Sequence, residues 1–168
     1  MIREAIEKDF ESFFRIKSEK DNLYWCGYNS APDKEKLREF WKRNVPHTAL
    51  RTIYMILKEE HICGYIYVDI VADPQSAKRG IELSIGVSER FSNGGLATEA
   101  IRNICELLSE SQENSEIYVY IRTDNIRSQK VFTKAGFVVT EEFRVMQLQN
   151  QNEPVKLYRW NLLRQSGK

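Results

Sequence analysis

The stretch 81–108 constrains the fold more than any other, because its apolar period changes from two to that of a helix around one glycine turn. In its first part, apolar residues alternate with polar or small ones, at Ile81, Leu83, Ile85 and Val87. After the turn, apolar residues recur at helical spacing, at Ala97, Ala100, Ile101, Ile104, Cys105 and Leu108. The stretch therefore predicts a half-buried strand, a tight turn and an amphipathic helix that begins near Leu96.

Asn93, Gly94 and Gly95 form the turn between this strand and this helix. Glycine reaches positive φ at low cost, so the backbone can turn tightly and present consecutive N–H groups. Together with the unpaired N–H groups at the helix start, such a turn suits a phosphate. An ordinary strand-to-helix connection has the same pattern. The glycines have neither the spacing of a dinucleotide fingerprint nor the lysine of a Walker A loop.

A second block, residues 125–137, follows another alternating strand at 117–121. It contains Asn125, Ser128, Phe132, Lys134, Gly136 and Phe137. With both blocks in this order, residues 78–148 resemble the GNAT superfamily of acetyl-CoA-dependent N-acetyltransferases. The family's pyrophosphate loop, Q/R-x-x-G-x-G/A, is matched at Gly95 and Ala97, whereas Ser92 departs from it. The family's segment N-x-x-S-x-x-x-Y/F-x-K-x-G-F is matched at all six residues of the second block.

The resemblance implies one GNAT-like α/β (α+β) domain over residues 1–168. Its mixed, mostly antiparallel sheet is expected to be flanked by helices, with two parallel strands that splay apart. Acetyl-CoA is the expected cofactor. Its expected binding residues are Ile85, Val87, Ser92, Asn93, Gly94, Gly95, Leu96, Ala97, Thr98, Asn125, Ser128 and Phe132. Backbone groups of Ile85 and Val87 are expected to pair with the pantetheine amides. Capping of the downstream helix alone would also explain Asn125 and Ser128.

Glu82 is the candidate base that deprotonates the amine, because similar sequences use a glutamate at this position of the strand. The alternative is a carboxylate at the rim that forms a salt bridge. Many relatives place a tyrosine where this chain has Phe132, and phenylalanine has no proton to give a leaving thiolate. Ser128, a water molecule, Tyr118 or Tyr120 are the candidate replacements.

Tyr24, Trp25 and Tyr28 lie in an aromatic stretch at 21–30, which is predicted to be a loop. The resemblance places such a segment beside the acceptor, so these three residues and Glu82 are the expected substrate-binding residues. A hydrophobic plug under the loop is the alternative. This stretch and the I-E-L-S strand look closest to the branch that acetylates ribosomal-protein N-termini.

Bulk properties exclude several classes of protein. A net charge of +1 with scattered basic residues argues against a nucleic-acid partner. No apolar run approaches the ~20 residues that cross a bilayer, and the charged beginning MIREAIEKDF is not a signal peptide. Cys26, Cys63 and Cys105 have no metal-site spacing and fit a reducing cytoplasm, so neither a metal nor a membrane is expected. A homodimer through a strand edge is possible.

The remaining pattern predicts a short strand at 2–6 and a helix with a core stripe at Phe10, Phe13 and Phe14, for which Asp9 is a candidate cap or first-turn acid. A helix at 33–44, a hairpin of 52–57 with 62–71, a strand at 116–122 and a helix at 128–135 follow. Loops are predicted at 73–76 and 111–115. Strands at 137–148 and 155–163 come last, separated by a turn at 150–154, and the chain is expected to fray from 166.

The leading hypothesis is an N-acetyltransferase that moves an acetyl group directly from acetyl-CoA to a primary amine, either a small molecule or a peptide N-terminus. A second hypothesis is a non-catalytic acyl-CoA-binding or regulatory module of the same fold, motivated by Phe132 and Ser92. A third is a nucleotide-phosphate binder that uses only the glycine turn.

Overall fold

One sheet of seven strands and five flanking α-helices form the part of the chain that the computed structural model describes, residues 1–72, 79–111, 116–148 and 151–160. The strands are β1 (Ile2–Glu4), β2 (Arg51–Lys58), β3 (His61–Ala72), β4 (Arg79–Val87), β5 (Glu116–Arg122), β6 (Phe137–Leu148) and β7 (Gln151–Trp160). The α-helices are α1 (Phe10–Lys17), α2 (Lys20–Trp25), α3 (Lys34–Asn44), α4 (Leu96–Ser111) and α5 (Ile126–Lys134). None of the helices in these ranges has the length and apolar character needed to span a bilayer.

The strands lie in the order β1-β2-β3-β4-β5-β7-β6. Every neighbouring pair is antiparallel except β4 and β5, which are parallel and joined through α4. A parallel pair needs a long crossover connection, and α4 provides it. This topology confirms the predicted mixed, mostly antiparallel sheet with one strand–helix–strand crossover.

Strands β4 and β5 separate soon after they begin to pair. Among the described residues, β4 and β5 form three pairs, Gly80 with Glu116, Ile81 with Ile117 and Glu82 with Tyr118. Both strands continue beyond this point, β4 to Val87 and β5 to Arg122. The predicted splay of the parallel pair is therefore confirmed, and it leaves the second half of β4 without a neighbour on the β5 side.

The sheet separates two hydrophobic cores. Helices α4 and α5 cover one face, where Ile101, Ile104 and Phe132 pack against alternate residues of β3, β4 and β5. Helices α1 and α3 cover part of the other face, where Phe13 and Trp41 pack with residues of β2 and β3. The aromatic stripe of the first helix is thus core, as its spacing predicts.

The Asp9 side chain does not cap α1, and the residue is instead an acid of the 3-10 turn Glu7–Asp9 that leads into this helix, as the second alternative expects. Its carboxylate accepts hydrogen bonds from both terminal nitrogens of Arg3, at 2.7 and 2.9 Å, and from the backbone N–H of Ile6 at 2.9 Å. Burial raises the pKa of Asp9, but these hydrogen bonds outweigh it and hold the pKa below its ordinary value. The buried carboxylate therefore fastens β1 to the chain that enters α1.

Three predicted boundaries are wrong. The stretch 21–30 is not all loop, because α2 covers Lys20–Trp25. Helix α5 begins before Ser128, because the Asn125 side chain caps it two residues earlier than predicted. The turn predicted at 150–154 is wrong for its last four residues, because β7 begins at Gln151 and pairs with β6 from there. The features predicted at 73–76, 112–115 and 161–168 lie outside the described residues.

Phe13→Ala tests the core under α1. Phe13 has no exposed surface, so its truncation is expected to lower the free energy of unfolding by about 3–5 kcal/mol. Phe143→Ala is the matched control, since this side chain is 55% exposed and its loss should cost less than about 1 kcal/mol. Urea unfolding measures both values, and equal losses would contradict the described packing.

Candidate functional site

A groove of about 320 Å³ lies where β4 has separated from β5, bounded by the starts of α4 and α5 and by α2. Most of the predicted cofactor-binding residues line it. They are Ile85, Val87, Ser92, Asn93, Gly95, Leu96, Ala97, Thr98, Asn125 and Ser128. Two stretches that are far apart in sequence thus share one groove, as the paired motifs led us to expect.

The backbone at the end of β4 is directed into the splay. The N–H of Ser88 donates to the carbonyl of Cys63, which extends the pairing of β4 with β3. Backbone groups of successive strand residues point in alternate directions, so Ile85 and Val87 direct theirs away from β3. The side chain of Asn22 donates to the Val87 carbonyl at 3.1 Å. The other backbone groups of this edge face the groove.

The glycine turn has the left-handed backbone that its sequence predicts. Asn93 and Gly95 have φ values of 69° and 79°. A Cβ atom at Gly95 would meet nothing within 4 Å, so the backbone borders open space there. The turn leads directly into the first turn of α4, whose N–H groups have no partners within the helix. The Ser92 hydroxyl donates to the Glu89 carbonyl at 2.8 Å and steadies the entry to the turn.

Helix α5 forms the opposite wall. The Asn125 side-chain oxygen accepts a hydrogen bond from the Ser128 N–H at 3.0 Å, so the capping function considered for Asn125 is observed. The Ser128 hydroxyl lines the groove and forms no hydrogen bond with another described residue. Lys130 and Lys134 follow on the same wall and give it positive charge.

Two predicted cofactor-binding residues lie elsewhere. The side chain of Phe132 is 1% exposed and packs edge-on against Phe137 at 5.0 Å between ring centroids. It belongs to the core beneath the groove and does not line it. Gly94 lies at the outer side of the turn and borders a different cavity, beside Met1 and Arg90.

Helix α2 is tied to the turn through two glutamates. The Glu19 carboxylate accepts from the Ser88 hydroxyl at 2.8 Å and from the Glu89 N–H at 2.7 Å. In return, the Glu89 carboxylate accepts from the Asp21 N–H at 2.8 Å. Glu89 begins a short 3-10 helix, Glu89–Phe91, and Glu19 directly precedes α2. Each carboxylate thus satisfies an N–H group at the start of the other residue's helix. These contacts fix α2, and with it Trp25, against the groove.

The predicted substrate-binding aromatics are divided among three places. Trp25 lines the groove. Tyr24 is 56% exposed, with its ring against Trp25 and near the Arg122 guanidinium. Tyr28 lines a second cavity, of about 530 Å³, between α3 and strands β2 and β3. The three side chains therefore do not form one wall, because α2 ends at Trp25 and the chain turns away.

Glu82 lies on the sheet face opposite the side chains of Ile85 and Val87. Its pair partners on both sides, Asp69 of β3 and Tyr118 of β5, share this face. Burial raises the pKa of Glu82, Arg144 opposes this rise, and the charge of Asp69 adds to it. The Glu82 carboxylate forms no hydrogen bond or ion pair with another described residue. The salt bridge considered as its alternative role is therefore not formed among the described residues.

The two tyrosines considered as acids share the face of Glu82. Burial and the charge of Glu82 raise the pKa of Tyr118 to about 12. The Tyr120 hydroxyl donates to Glu142 at 3.0 Å, and the Arg144 guanidinium covers its ring. Both phenols therefore stay protonated near neutral pH, on the far side of the sheet from the groove.

The sequence assigns no binding role to several residues of these cavities. Lys134 is part of the second motif and Lys130 stands one helical turn before it, so their shared helix face could have been found from the spacing. Asn22 and Lys17 could not, because the contacts that place them come from strands far along the chain. A single polar residue in a helical pattern gives no signal of such contacts.

Comparison with known proteins places the chain among acetyltransferases. The family profile described as "Acetyltransferase (GNAT) domain" matches residues 1–138. No curated protein matches the chain in sequence. Three solved structures share its fold at 14–18% identity.

The first is ribosomal-protein-alanine N-acetyltransferase from Brucella melitensis (TM-score 0.75, 17% identity, covering 96% of this chain and 99% of that chain). The second is spermidine N-acetyltransferase from Vibrio cholerae with CoA and spermine (TM-score 0.79, 14% identity, covering 95% of this chain and 93% of that chain). The third is aminoglycoside acetyltransferase AAC(6')-Ib with coenzyme A and kanamycin (TM-score 0.73, 18% identity, covering 94% of this chain and 92% of that chain). At these identities the likeness establishes the fold.

Glu82 is expected to titrate above the ordinary glutamate pKa of about 4.3. Arg144→Gln removes the charge that opposes this shift, so the titration midpoint should rise further. Arg38→Gln is the control, because Arg38 pairs with Glu11 and does not act on Glu82. A ¹³C NMR titration of the glutamate carboxyl groups measures the midpoint. A midpoint at or below the ordinary value would contradict the described burial.

Proposed function

Since the chain belongs to the GNAT acetyltransferase family, we propose that it transfers an acetyl group from acetyl-CoA directly to a primary amine. The observation that carries this proposal is the shared groove. An unpaired strand edge, a helix N-terminus with a glycine approach and a basic helix wall meet there. Together they suit one elongated ligand with amide groups at one end and phosphates at the other.

The groove fits acetyl-CoA by its chemistry. Backbone groups of Ile85 and Val87 would pair with the pantetheine amides in the manner of an added strand. The N–H groups of Gly95 to Thr98 would bind the pyrophosphate, where the helix dipole favours negative charge. Lys130 and Lys134 would stand beside the remaining phosphate. When bound there, acetyl-CoA supplies an activated acetyl thioester.

Glu82 is proposed as the base. An amine that arrives as an ammonium must lose a proton before it can attack, and a carboxylate with a raised pKa accepts that proton more readily. The splay places Glu82 at the last paired position of β4, beside the opening between the two faces of the sheet. The amine would approach from this face, while the thioester lies on the other.

The proton for the departing thiolate is assigned to Ser128. Phe132 cannot supply it, since phenylalanine has no acidic proton and the ring is buried. Ser128 brings a hydroxyl to the groove near the strand edge, and no described residue engages that hydroxyl. A serine hydroxyl is a much weaker acid than a thiol with a pKa of about 8.5, so Ser128 would donate a hydrogen bond to the thiolate and pass it a proton that water replaces on the hydroxyl in the same step.

The proposed acceptor is a small-molecule amine or a peptide N-terminus. The proposed location of the protein itself is the cytoplasm. The solved neighbours include enzymes for ribosomal-protein alanine, spermidine and aminoglycosides. This range shows that the fold accepts very different amines. The side chains on the Glu82 face therefore decide which amine this chain accepts.

Gly95→Glu tests the phosphate site. A carboxylate in the open space beside Gly95 would repel the pyrophosphate and weaken acetyl-CoA binding by roughly 100-fold. Gly95→Ala is the control, because it imposes the same backbone strain at positive φ without the charge. Calorimetric titration gives both affinities. Retained affinity in the glutamate variant would remove the turn from the binding site.

Glu82→Gln tests the base. In the wild type kcat should rise with pH through the raised pKa of Glu82, because only the deprotonated carboxylate accepts the proton. The variant should lose this rise and fall roughly 100-fold to 10,000-fold in kcat. Glu106→Gln, on the exposed face of α4, should match the wild type. An unchanged pH profile in Glu82→Gln would exclude Glu82 from the proton transfer.

A further inference from the structure

The second cavity, of about 530 Å³, contains a lysine ammonium that no carboxylate neutralises. Lys17, the last residue of α1, lines this cavity with Tyr28, Phe40, Arg51 and Tyr67. Its Nζ atom lies within 5.5–6.0 Å of four aromatic ring centroids, those of Phe13, Tyr28, Tyr65 and Tyr67. It forms no hydrogen bond or ion pair with a described residue.

Aromatic faces stabilise an ammonium, but they do not replace a counterion. Burial lowers the pKa of Lys17, the nearby Cys26 thiol opposes this shift, and the charge of Arg51 adds to it. The net shift is downward, which marks a cation that its surroundings do not fully compensate. A half-buried lysine that borders open space can be neutralised by an anion that enters the cavity.

Other charged groups around the cavity are paired or exposed. The Arg51 guanidinium forms a two-point ion pair with the Asp69 carboxylate, with Nη2 and Oδ2 at 2.8 Å. The Asp33 carboxylate caps α3 by accepting from the backbone N–H of Lys36 at 2.9 Å, and the Lys36 side chain is exposed at the rim. Lys17 is therefore a half-buried cation of this lining that has no ion pair with a described residue.

Lys17 lies close to the proposed reaction centre. Its neighbour Tyr65 pairs with Gly86 of β4, and the Tyr65 ring covers Gly86 so closely that a Cβ there would lie 2.6 Å from it. Tyr67 pairs with Ser84, and Asp69 with Glu82, on the same sheet face. Since strands lie about 4.8 Å apart, the cavity over β2 and β3 is displaced from Glu82 by about one to two strand spacings across the sheet, and Tyr67 is displaced by two residues along it.

Glu82 and Lys17 are thus side chains of opposite charge on the same face of the sheet, and neither forms an ion pair with another described residue. We propose that the acceptor is an amine that also carries a carboxylate, with its amine beside Glu82 and its carboxylate on the Lys17 ammonium. This inference rests on the proposed acetyltransferase function and names the class of its acceptor. Acceptors of this class include ω-amino acids and short peptides.

The same arrangement disfavours polycationic amines. Spermine and kanamycin, bound in two of the solved neighbours, carry several positive charges and no carboxylate. In this chain such a ligand would bring further positive charge against Lys17 in a partly desolvated cavity. Like charges in such a cavity repel more strongly than at the surface, because less water screens them.

The experiment compares matched acceptors. Initial rates of thiol release from acetyl-CoA are measured with β-alanine, 4-aminobutyrate and 6-aminohexanoate, with the carboxamide of each, and with spermidine. For at least one of the three amino acids, kcat/KM should exceed that of its own carboxamide by about 10-fold to 100-fold. A ratio of this size corresponds to the loss of one charge-assisted hydrogen bond. Carboxamides or spermidine as the better acceptors would overturn the proposal.

Lys17→Met supplies the residue-specific test. It keeps the length and apolar contacts of the side chain but removes the charge, so the ratio of carboxylate to carboxamide should fall towards one, mainly through KM. Lys42→Met, on the exposed side of α3, should keep the wild-type ratio. A ratio that survives in Lys17→Met would overturn the role of Lys17. The ratio is independent of the amount of folded enzyme, so a loss of stability does not imitate the result.

Binding separates this proposal from the proposed function. With CoA present, calorimetry measures the affinity of 6-acetamidohexanoate for the wild type and for Lys17→Met, and we expect at least a tenfold loss in the variant. Such a loss without acetylation of any amine would support the carboxylate site and contradict the enzyme. Acetylation without any carboxylate preference would support the enzyme and overturn the carboxylate site.

Discussion

The pairing of β4 with β5 ends at Glu82 and Tyr118, and the functional part of the molecule depends on that early separation. Had the strands stayed paired, Ile85 and Val87 would have used their backbone groups within the sheet. Separation exposes those groups to a groove on one side and places Glu82 at the opening on the other. One change in strand pairing therefore gives the proposed function its binding edge and leaves the proposed base, Glu82, at the last paired position.

Rigid surroundings keep this opening in shape. Glu19 and Glu89 fasten α2 to the chain that enters the glycine turn, and Asn22 holds the carbonyl at the end of β4. On the opposite wall, Asn125 fixes the first turn of α5. Each contact satisfies a polar group that a loop or helix end would leave free. The groove walls are thus positioned by the same hydrogen bonds that the local fold requires.

The sequence revealed those parts of the site whose signal is local. The period change at Ile81–Leu108, the positive φ of Asn93 and Gly95 and the Asn125 cap all follow from residues near one another in the chain, and the structure has them where they were predicted. It missed α2, because mutual capping with Glu89 comes from a distant segment. The motif position of Phe132 suits either a core or a cofactor-wall residue, and only the structure shows that the ring turns into the core. Lys17 could not be found, since its four rings come from α1, the chain after α2, and β3.

The β4 edge and the start of α4 are proposed to bind one molecule of acyl-CoA together. Amide chemical shifts in ¹⁵N-labelled protein, followed during a titration with CoA, test this most directly. The account predicts that the amides of Ile85, Val87 and residues 95–98 shift together with one dissociation constant, and that ATP and NADH at equal concentration do not reproduce the response at Ile85 and Val87. Shifts confined to the turn, or an equal response to ATP, would show a phosphate site alone and contradict the account.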